Sequence, residues 1–278
     1  MIKAKKSLGQ NFLVDGRIAR RILAAVSPQP EDIIIEIGPG TGALTKLLVE
    51  NNRVIAVEID KRLIEELQSL AQQNLTVIEG DALEIDWSKL IESIIDETTV
   101  HGGQNSIPPR IRIVANLPYY ISTPIIERLI ALDGKIYDMT LMLQKEVVER
   151  ITSAPGSKEY GYLSVLVQCH LIPKKLFEVP PSAFRPAPKV QSAIVSLLMR
   201  DRFAVDVSDM KKFFRLVSSL FAQRRKTIAN NIKAAATVLQ ITTPIQSAFE
   251  KSGIDSTRRA ETLSLDEFAS LYKAFFES

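Results

Sequence analysis

Short apolar runs recur along the first two hundred residues, with amphipathic stretches between them. Residues 33–37, 54–57, 75–78, 111–115 and 139–143 are each strand-length runs rich in Ile, Val, Leu and Met. Between them the apolar positions return at helical spacing, as in 62–71 and 124–132, and residues 43–49 continue directly from the first run as a helix. This alternation predicts a mostly parallel sheet covered by helices on both faces, the doubly wound α/β class. Residues 172–179 and 193–198 add a last pair of strands joined by a proline-rich loop. Ahead of the first strand, Asp15 is placed to cap a helix through Ile18, Ile22, Leu23 and Val26, which Pro28 and Pro30 stop.

After Met199 the pattern changes. Residues 210–221, 225–236 and 243–252 have helical spacing, and Ser264-Leu265-Asp266-Glu267 is a capping-box signature for a final helix through Phe268, Leu271 and Phe275. The expected division is therefore an α/β domain over residues 1–200 and a small all-helical domain over 201–278. Residues 98–109, with two glycines and two prolines, read as a surface loop inserted before the fourth strand.

Two stretches carry chemistry. Glu36-Ile37-Gly38-Pro39-Gly40-Thr41-Gly42 lies between a strand and a helix, the first unit of a doubly wound fold. By itself the loop is ambiguous. Gly38, Gly40 and Ala43 also satisfy the loose dinucleotide pattern, and Glu58, twenty residues after Gly38, ends the next strand where a carboxylate can hold ribose hydroxyls. The second stretch, Asn116-Leu117-Pro118-Tyr119, follows the fourth strand. The Asn116 amide oxygen and the Pro118 carbonyl can accept from an exocyclic amine, and the Tyr119 ring can stack on a flat base. A hydride-transfer site has no use for that set. Asp81 ends the third strand and either accepts from an adenine amine or caps the next turn; Asp60, beside Glu58, reads as a helix cap. Gly38, Glu58, Asp81 and Asn116 thus fall at the carboxyl ends of successive strands, the edge where open α/β sheets bind ligands.

Composition narrows the class. Of 278 residues, 46% are hydrophobic and 24% charged, ordinary globular values. The single Cys169 excludes an intrachain disulfide framework and fits a reducing compartment. No apolar run has the length of a membrane span, and Gln10, Asn11 and Asp15 interrupt the stretch that a signal peptide needs, so a cytoplasmic protein is expected. Net charge is +3 but uneven: residues 1–169 hold 18 Lys/Arg against 22 Asp/Glu, and residues 170–278 hold 17 against 10. A basic C-terminal third suggests a polyanionic partner, gripped by Lys211, Lys212, Arg224, Arg225 and Lys226, the last three expected to open a helix, with Lys3, Lys5, Lys6, Arg215, Arg258 and Arg259 adding to them. His101 and His170 have no ligand-like company; loop and core roles are expected, and no metal.

Taken in order, these stretches resemble a known family. Lys6 to Leu13 (KSLGQNFL), Glu36 to Gly42, Val57 to Asp60, Gly80-Asp81-Ala82 and Asn116 to Thr123 (NLPYYIST) are followed by Leu143 to Val147 and Tyr160 to Val165. Phe184 to Val190 (FRPAPKV), Phe221 to Asn231 (FAQRRKTIANN) and Arg259 to Leu263 complete the series over nearly the whole chain. The chain is similar to the ribosomal RNA adenine dimethyltransferases, in particular the small-subunit enzymes that dimethylate N6 of two adjacent adenines near the 3′ end of 16S-type rRNA. The resemblance implies a Rossmann-like methyltransferase fold and S-adenosylmethionine as cofactor, touched by Asn11, Leu13, Gly38, Glu58, Asp81 and Asn116. It implies that Asn116, Pro118 and Tyr119 hold the flipped adenine. Phe184, on a loop stiffened by Pro180, Pro181, Pro186 and Pro188, either closes the other face of the base or anchors the loop. The implied partner is rRNA within an assembling small subunit, with the protein acting as a monomer. A macrolide-resistance methyltransferase of large-subunit rRNA, a Rossmann oxidoreductase and a ribosome-assembly factor remain open at this point.

Overall fold

The computed structural model describes residues 2–70, 73–101, 109–132 and 134–277; nothing is described of the side chains of 98–101. Nine strands are present among them: β1 (Phe12–Leu13), β2 (Ile33–Ile37), β3 (Arg53–Glu58), β4 (Leu75–Glu79), β5 (Ile111–Asn116), β6 (Asp138–Gln144), β7 (Leu171–Val179), β8 (Phe184–Arg185) and β9 (Ser192–Met199). Seven form one sheet in the order β4-β3-β2-β5-β6-β9-β7, and β1 pairs with β8 apart from it. The first five of these run parallel and β9 runs antiparallel to β6. The sheet reverses direction of build-out at β2/β5, the switch point at which doubly wound folds open a crevice for ligand.

Helices α1 (Gly16–Val26), α2 (Thr45–Leu48), α3 (Lys61–Gln68), α4 (Trp87–His101), α5 (Ser122–Ile130) and α6 (Lys145–Thr152) connect the strands. Strand β2 reads Ile-Ile-Ile-Glu-Ile and every position is buried, as a central strand covered on both faces must be. Asp15 caps α1 as expected, accepting from the Arg17 and Ile18 amides. Asp60 caps α3, accepting from the Arg62 amide. The helix expected over 43–49 is only the single turn of α2, the remainder being the glycine turn itself. The loop expected over 98–109 begins later than read: α4 runs on through His101, residues 102–108 lie outside the described residues, and so does the end of the helix expected to reach Ala71.

At the amino ends of the central strands sits a buried ion network. Arg112 donates to Asp138 at 2.8 and 2.5 Å and to Asp32 at 3.2 Å, and Arg110 donates to Asp32 at 2.8 Å. Burial alone would raise the Asp32 carboxyl, yet hydrogen bonds from Arg110, the Gln29 amide and Arg112 hold it below the usual carboxylate range. Arg110 also lies over the Tyr137 ring, 4.7 Å from its centre.

The chain divides into two compact units: residues 1–148 with 172–199, and residues 149–171 with 200–278. The expected single boundary near residue 200 is corrected by this: α7 (Tyr162–His170) and the residues before it belong with the second unit. The reason is packing. Tyr160, Val165 and Cys169 are buried in the same core as Phe213, Leu216, Phe268 and Tyr272, and burial pushes the Cys169 thiol up to about 12, an inert core thiol. The rest of that unit is α8 (Met210–Phe221), α9 (Ile228–Ala235), α10 (Ile245–Ser252) and α11 (Leu265–Phe276). Ser264 and Glu267 form the expected capping box on α11.

Candidate active site

The carboxyl ends of β2, β3, β4 and β5 border one cavity of about 1020 Å³, its open mouth included. Its walls come from five segments: 8–13, 36–44, 57–63, 80–82 and 116–121. Of the expected site residues, Asn11, Leu13, Gly38, Glu58, Asp81, Asn116, Pro118 and Tyr119 all border it.

The glycine turn opens one wall. Gly38 and Gly40 hold φ at +68° and +58°, a conformation that L side chains rarely take, and a Cβ on Gly40 would sit 3.1 Å from the Phe12 ring. The turn therefore brings backbone to the cavity where a side chain would fill it. Glu58 closes the turn from β3. Its Oε1 accepts from the Ile59 and Asp60 amides, both at 2.9 Å, and Oε2 takes only a long bond from the Gly40 amide at 3.3 Å. Burial pushes its carboxyl up against these bonds, and Oε2 keeps acceptor capacity towards the cavity. Asp81 accepts from the Leu83 amide at 2.8 Å, so it holds the turn after β4, and it also borders the cavity.

Glu36 has a part that its place within the glycine motif did not reveal. Its carboxyl is buried, borders the cavity, and leaves Oε2 with no hydrogen-bond partner. Burial pushes it up to about 7; Thr45 partly offsets this and the neighbouring Glu58 charge adds to it. The orphaned oxygen is a signal that only burial exposes, since an acid inside an apolar strand is otherwise read as strand pattern.

On the opposite wall, Asn116 Nδ2 donates to the Asn11 carbonyl at 3.1 Å, leaving Oδ1 as the amide's acceptor end. Tyr119 donates to or accepts from Ser192 Oγ at 2.9 Å, and burial raises its hydroxyl above the usual phenol value. The Pro118 carbonyl is corrected in one respect. It is not free, because the Ile121 amide at 3.1 Å and the Ser122 hydroxyl at 3.3 Å both donate to it. The short 3-10 turn Tyr119–Ile121 folds back on it, which sequence spacing does not reveal. Phe184 is corrected as well. It lies in β8 opposite Leu13, is 2% exposed and packs with Leu13, Val114, Met142, Val179 and Ala183. Among the two roles read for it, this packing is that of the loop anchor.

Residues 5–13 cross the cavity and are tied down at both ends. Asp60, whose side chain is fully buried, accepts from Lys5 Nζ at 3.0 Å, Gln10 Nε2 at 3.2 Å and Arg62 at 2.6 Å. Those partners hold its carboxyl well below the usual range, the Arg62 guanidinium contributing most. Lys5 is thus a strut rather than a free cation. Phe12 and Leu13 pair with Arg185 and Phe184 at the other end.

In the helical unit the expected basic residues separate into two kinds. Arg224 donates to the Lys158 and Tyr160 carbonyls at 2.7 and 3.2 Å and to Glu261 at 3.2 Å. Lys212 lies 4.1 Å from the centre of the Phe276 ring. Arg215 and Arg258 are likewise committed, to the Val238 carbonyl and to Glu267. Lys211, Arg225 and Lys226 are exposed. Arg224, Arg225 and Lys226 do not open a helix as expected; they form the turn before Thr227, which caps α9. Lys211 lies at the start of α8 and Arg224 in the turn after its end, so about 15 Å of helix runs between Lys211 and that turn. His170 stacks on Phe214 and edges Phe203, in keeping with its expected packing role, and the side chain of His101 lies outside the described residues. No group of metal-ligating side chains is present among the described residues.

A family model described as ribosomal RNA adenine dimethylase matches residues 1–277. A relative from Geobacter sulfurreducens, ribosomal RNA small subunit methyltransferase A, is 43% identical over 275 residues, 98% of this chain and 95% of that one. The protein of the same name from Clostridium botulinum strain Kyoto is 42% identical over 279 residues, covering 99% and 95%. Among solved structures, a dimethyladenosine transferase from Plasmodium falciparum superposes with TM-score 0.75 at 27% identity, covering 94% of this chain and 95% of that one. The 23S rRNA methyltransferase ErmE superposes with TM-score 0.68 at 22% identity, covering 95% and 99%, a likeness of fold.

Proposed function

The chain belongs to the ribosomal RNA adenine dimethylase family, and on that premise we propose that it transfers methyl groups from S-adenosylmethionine to N6 of two adjacent adenines near the 3′ end of small-subunit rRNA. The full-length likeness to small-subunit methyltransferases above 40% identity favours this over the large-subunit, macrolide-resistance reaction, for which the fold alone speaks. The observation that carries the reading is the Asn116–Asn11 bond, which engages the amide's Nδ2 end and leaves Oδ1 to accept, on a residue that borders the same cavity as the glycine turn.

The cofactor fits the residues present. Glu58 Oε2 has acceptor capacity for a ribose hydroxyl, Asp81 borders the cavity for an adenine amine, and the glycine turn leaves backbone room beside them. Asn11 and Leu13 roof the same space. When bound, S-adenosylmethionine supplies a methyl group already activated on a sulfonium.

The residues of the chain then have to present an amine. The N6 lone pair of adenine is delocalised into the ring. Acceptors at Asn116 Oδ1 and the Pro118 carbonyl draw the two N–H groups and localise that lone pair. The second acceptor becomes available when the Ser122 hydroxyl, a free rotor, turns away. Tyr119 stacks on the base, which must leave its own stack at a cost of a few kcal/mol. Orientation of amine and methyl can contribute on the order of 7–11 kcal/mol at best. No covalent nucleophile is required.

The exposed Lys211, Arg225 and Lys226 suit phosphate contacts that position a structured RNA without reading its bases. We place the protein, as a monomer in the cytoplasm, on a small subunit still under assembly. Among the described residues no helix is long and apolar enough to cross a membrane. The test is transfer of labelled methyl to small-subunit particles that lack the modification, beside large subunits and naked rRNA. Up to four methyls per small subunit, as dimethyladenosine, is expected; label in large-subunit RNA alone overturns the reading.

A further inference from the structure

Tyr120 is the most exposed aromatic side chain that borders the cavity, at 62%. Its neighbour Tyr119 turns inward to Ser192, while Tyr120, the next residue on the same 3-10 turn, faces solvent at the rim. Singly exposed hydrophobic residues are ordinary on a protein surface; what sets this ring apart is that it borders the cavity.

The ring is seated, not loose. One edge rests on Gly9: a Cβ built there would lie 3.2 Å from Cε1 and 3.3 Å from Cδ1, and Gly9 itself holds φ at +60°. Gly9 is fixed in turn, since its amide donates to the Lys6 carbonyl at 3.0 Å at the end of the 3-10 turn Lys6–Leu8. Lys6 opens that turn, three residues before Gly9. Lys6 is exposed and has no ion-pair partner among the described residues, unlike Lys5, which Asp60 holds. A flat apolar surface rests on Gly9, and an ammonium without an ion-pair partner among the described residues lies three residues before that glycine.

We propose that Tyr120, Gly9 and Lys6 form a subsite for the nucleotide adjacent to the target adenine, its base stacking on Tyr120 and its phosphate meeting Lys6. The proposal rests on the substrate reading above. An RNA strand that delivers one base to Asn116 and Tyr119 must cross this rim with the next. Stacking on an exposed ring is tolerant of base identity but stronger for purines than for pyrimidines, and it lets either of two adjacent adenines occupy either position. The ring thereby serves specificity for a paired target.

The test compares wild type, Tyr120→Phe, Tyr120→Leu and Lys6→Ala on unmodified small-subunit particles, with dimethyladenosine counted by mass spectrometry. S-adenosylmethionine affinity is measured alongside by calorimetry. The expected result is a loss of about ten-fold in kcat/KM for Tyr120→Leu, near-normal rates for Tyr120→Phe, a smaller and salt-dependent loss for Lys6→Ala, and unchanged cofactor affinity in all. Particles in which one of the two adenines is replaced by uridine add a coupling test: wild type loses activity on the remaining adenine, and Tyr120→Leu loses no more. Tyr120→Leu with wild-type kcat/KM, or a matching loss in cofactor affinity, overturns the subsite. Absence of any methyl transfer by wild type overturns the substrate reading and the subsite with it, a result distinct from either.

Discussion

The Asn116 side chain donates through Nδ2 to the Asn11 main-chain carbonyl at 3.1 Å, joining residues 105 positions apart across the cavity. The bond decides which end of the amide is left to accept. An asparagine that could turn freely would offer donor and acceptor equally; this one has its Nδ2 end engaged by Asn11, which leaves Oδ1 as the accepting end. Its removal is expected to lower kcat by about a hundred-fold or more, the scale of one preorganised polar contact. Single-turnover methylation by Asn116→Ala, set beside its cofactor affinity, checks this: affinity should fall far less than rate.

Glu58→Ala is expected to weaken S-adenosylmethionine binding by about 1–3 kcal/mol, the cost of leaving polar partners unpaired. Both carboxylate oxygens also serve backbone amides, so the variant should lose some stability as well. Calorimetry on folded protein separates the two. Unchanged cofactor affinity would remove the ribose assignment.

Glu36 makes stability depend on pH with a defined sign. Its carboxyl is pushed up to about 7 in the fold from 4.5, so between those values the unfolded chain has released the proton and the folded one keeps it. Stability therefore falls as pH rises through that window and levels off above it. Glu36→Gln removes the penalty. It should be more stable than wild type by on the order of 3 kcal/mol at pH 8 and by little at pH 4.5, as read by urea unfolding at the two values. A gain independent of pH would show that the carboxyl ionises freely in the fold.

Arg112→Met strands Asp138 and weakens Asp32, and should destabilise the protein by about 3–5 kcal/mol, the usual result of breaking one side of a buried pair. The network lies at the amino ends of the strands, whereas the cavity lies at their carboxyl ends. Methyl transfer at low temperature should therefore survive while the urea midpoint drops.

The basic residues of the helical unit should divide by their bonds. Arg225→Ala and Lys226→Ala should each reduce particle affinity and lower the salt dependence of binding by about one ion. Arg224→Ala should instead lower thermal stability, because it removes three bonds within that unit.

The strands were legible because a central parallel strand is buried on both faces and must be written almost wholly in apolar residues, as in Ile33–Ile37. Caps at Asp15, Asp60 and Ser264 were legible because they depend on one side chain and one or two neighbouring amides. The boundary between the units was not. Residues 149–171 continue the α/β sequence pattern, and only the distant Phe213, Leu216 and Tyr272 show which core they enter. Phe184 and Arg224 misled for a related reason: an aromatic in a loop and a basic triplet in a turn look available until their neighbours are known.

The sequence by itself determined the doubly wound class and the strand-end order of Gly38, Glu58, Asp81 and Asn116, and it made Asn116 to Tyr119 the candidates for holding an adenine amine. Each of these depends on local spacing and on residue type. The tertiary structure decided which of those groups are still free to act. Pro118 shares its carbonyl with Ile121 and Ser122, Lys5 is spent on Asp60, and Glu36 stands buried with an unpaired oxygen. Hydrogen-bond capacity and solvation are set by whatever the fold places alongside a group, and those neighbours are distant in the chain, as Asn11 is 105 residues from Asn116.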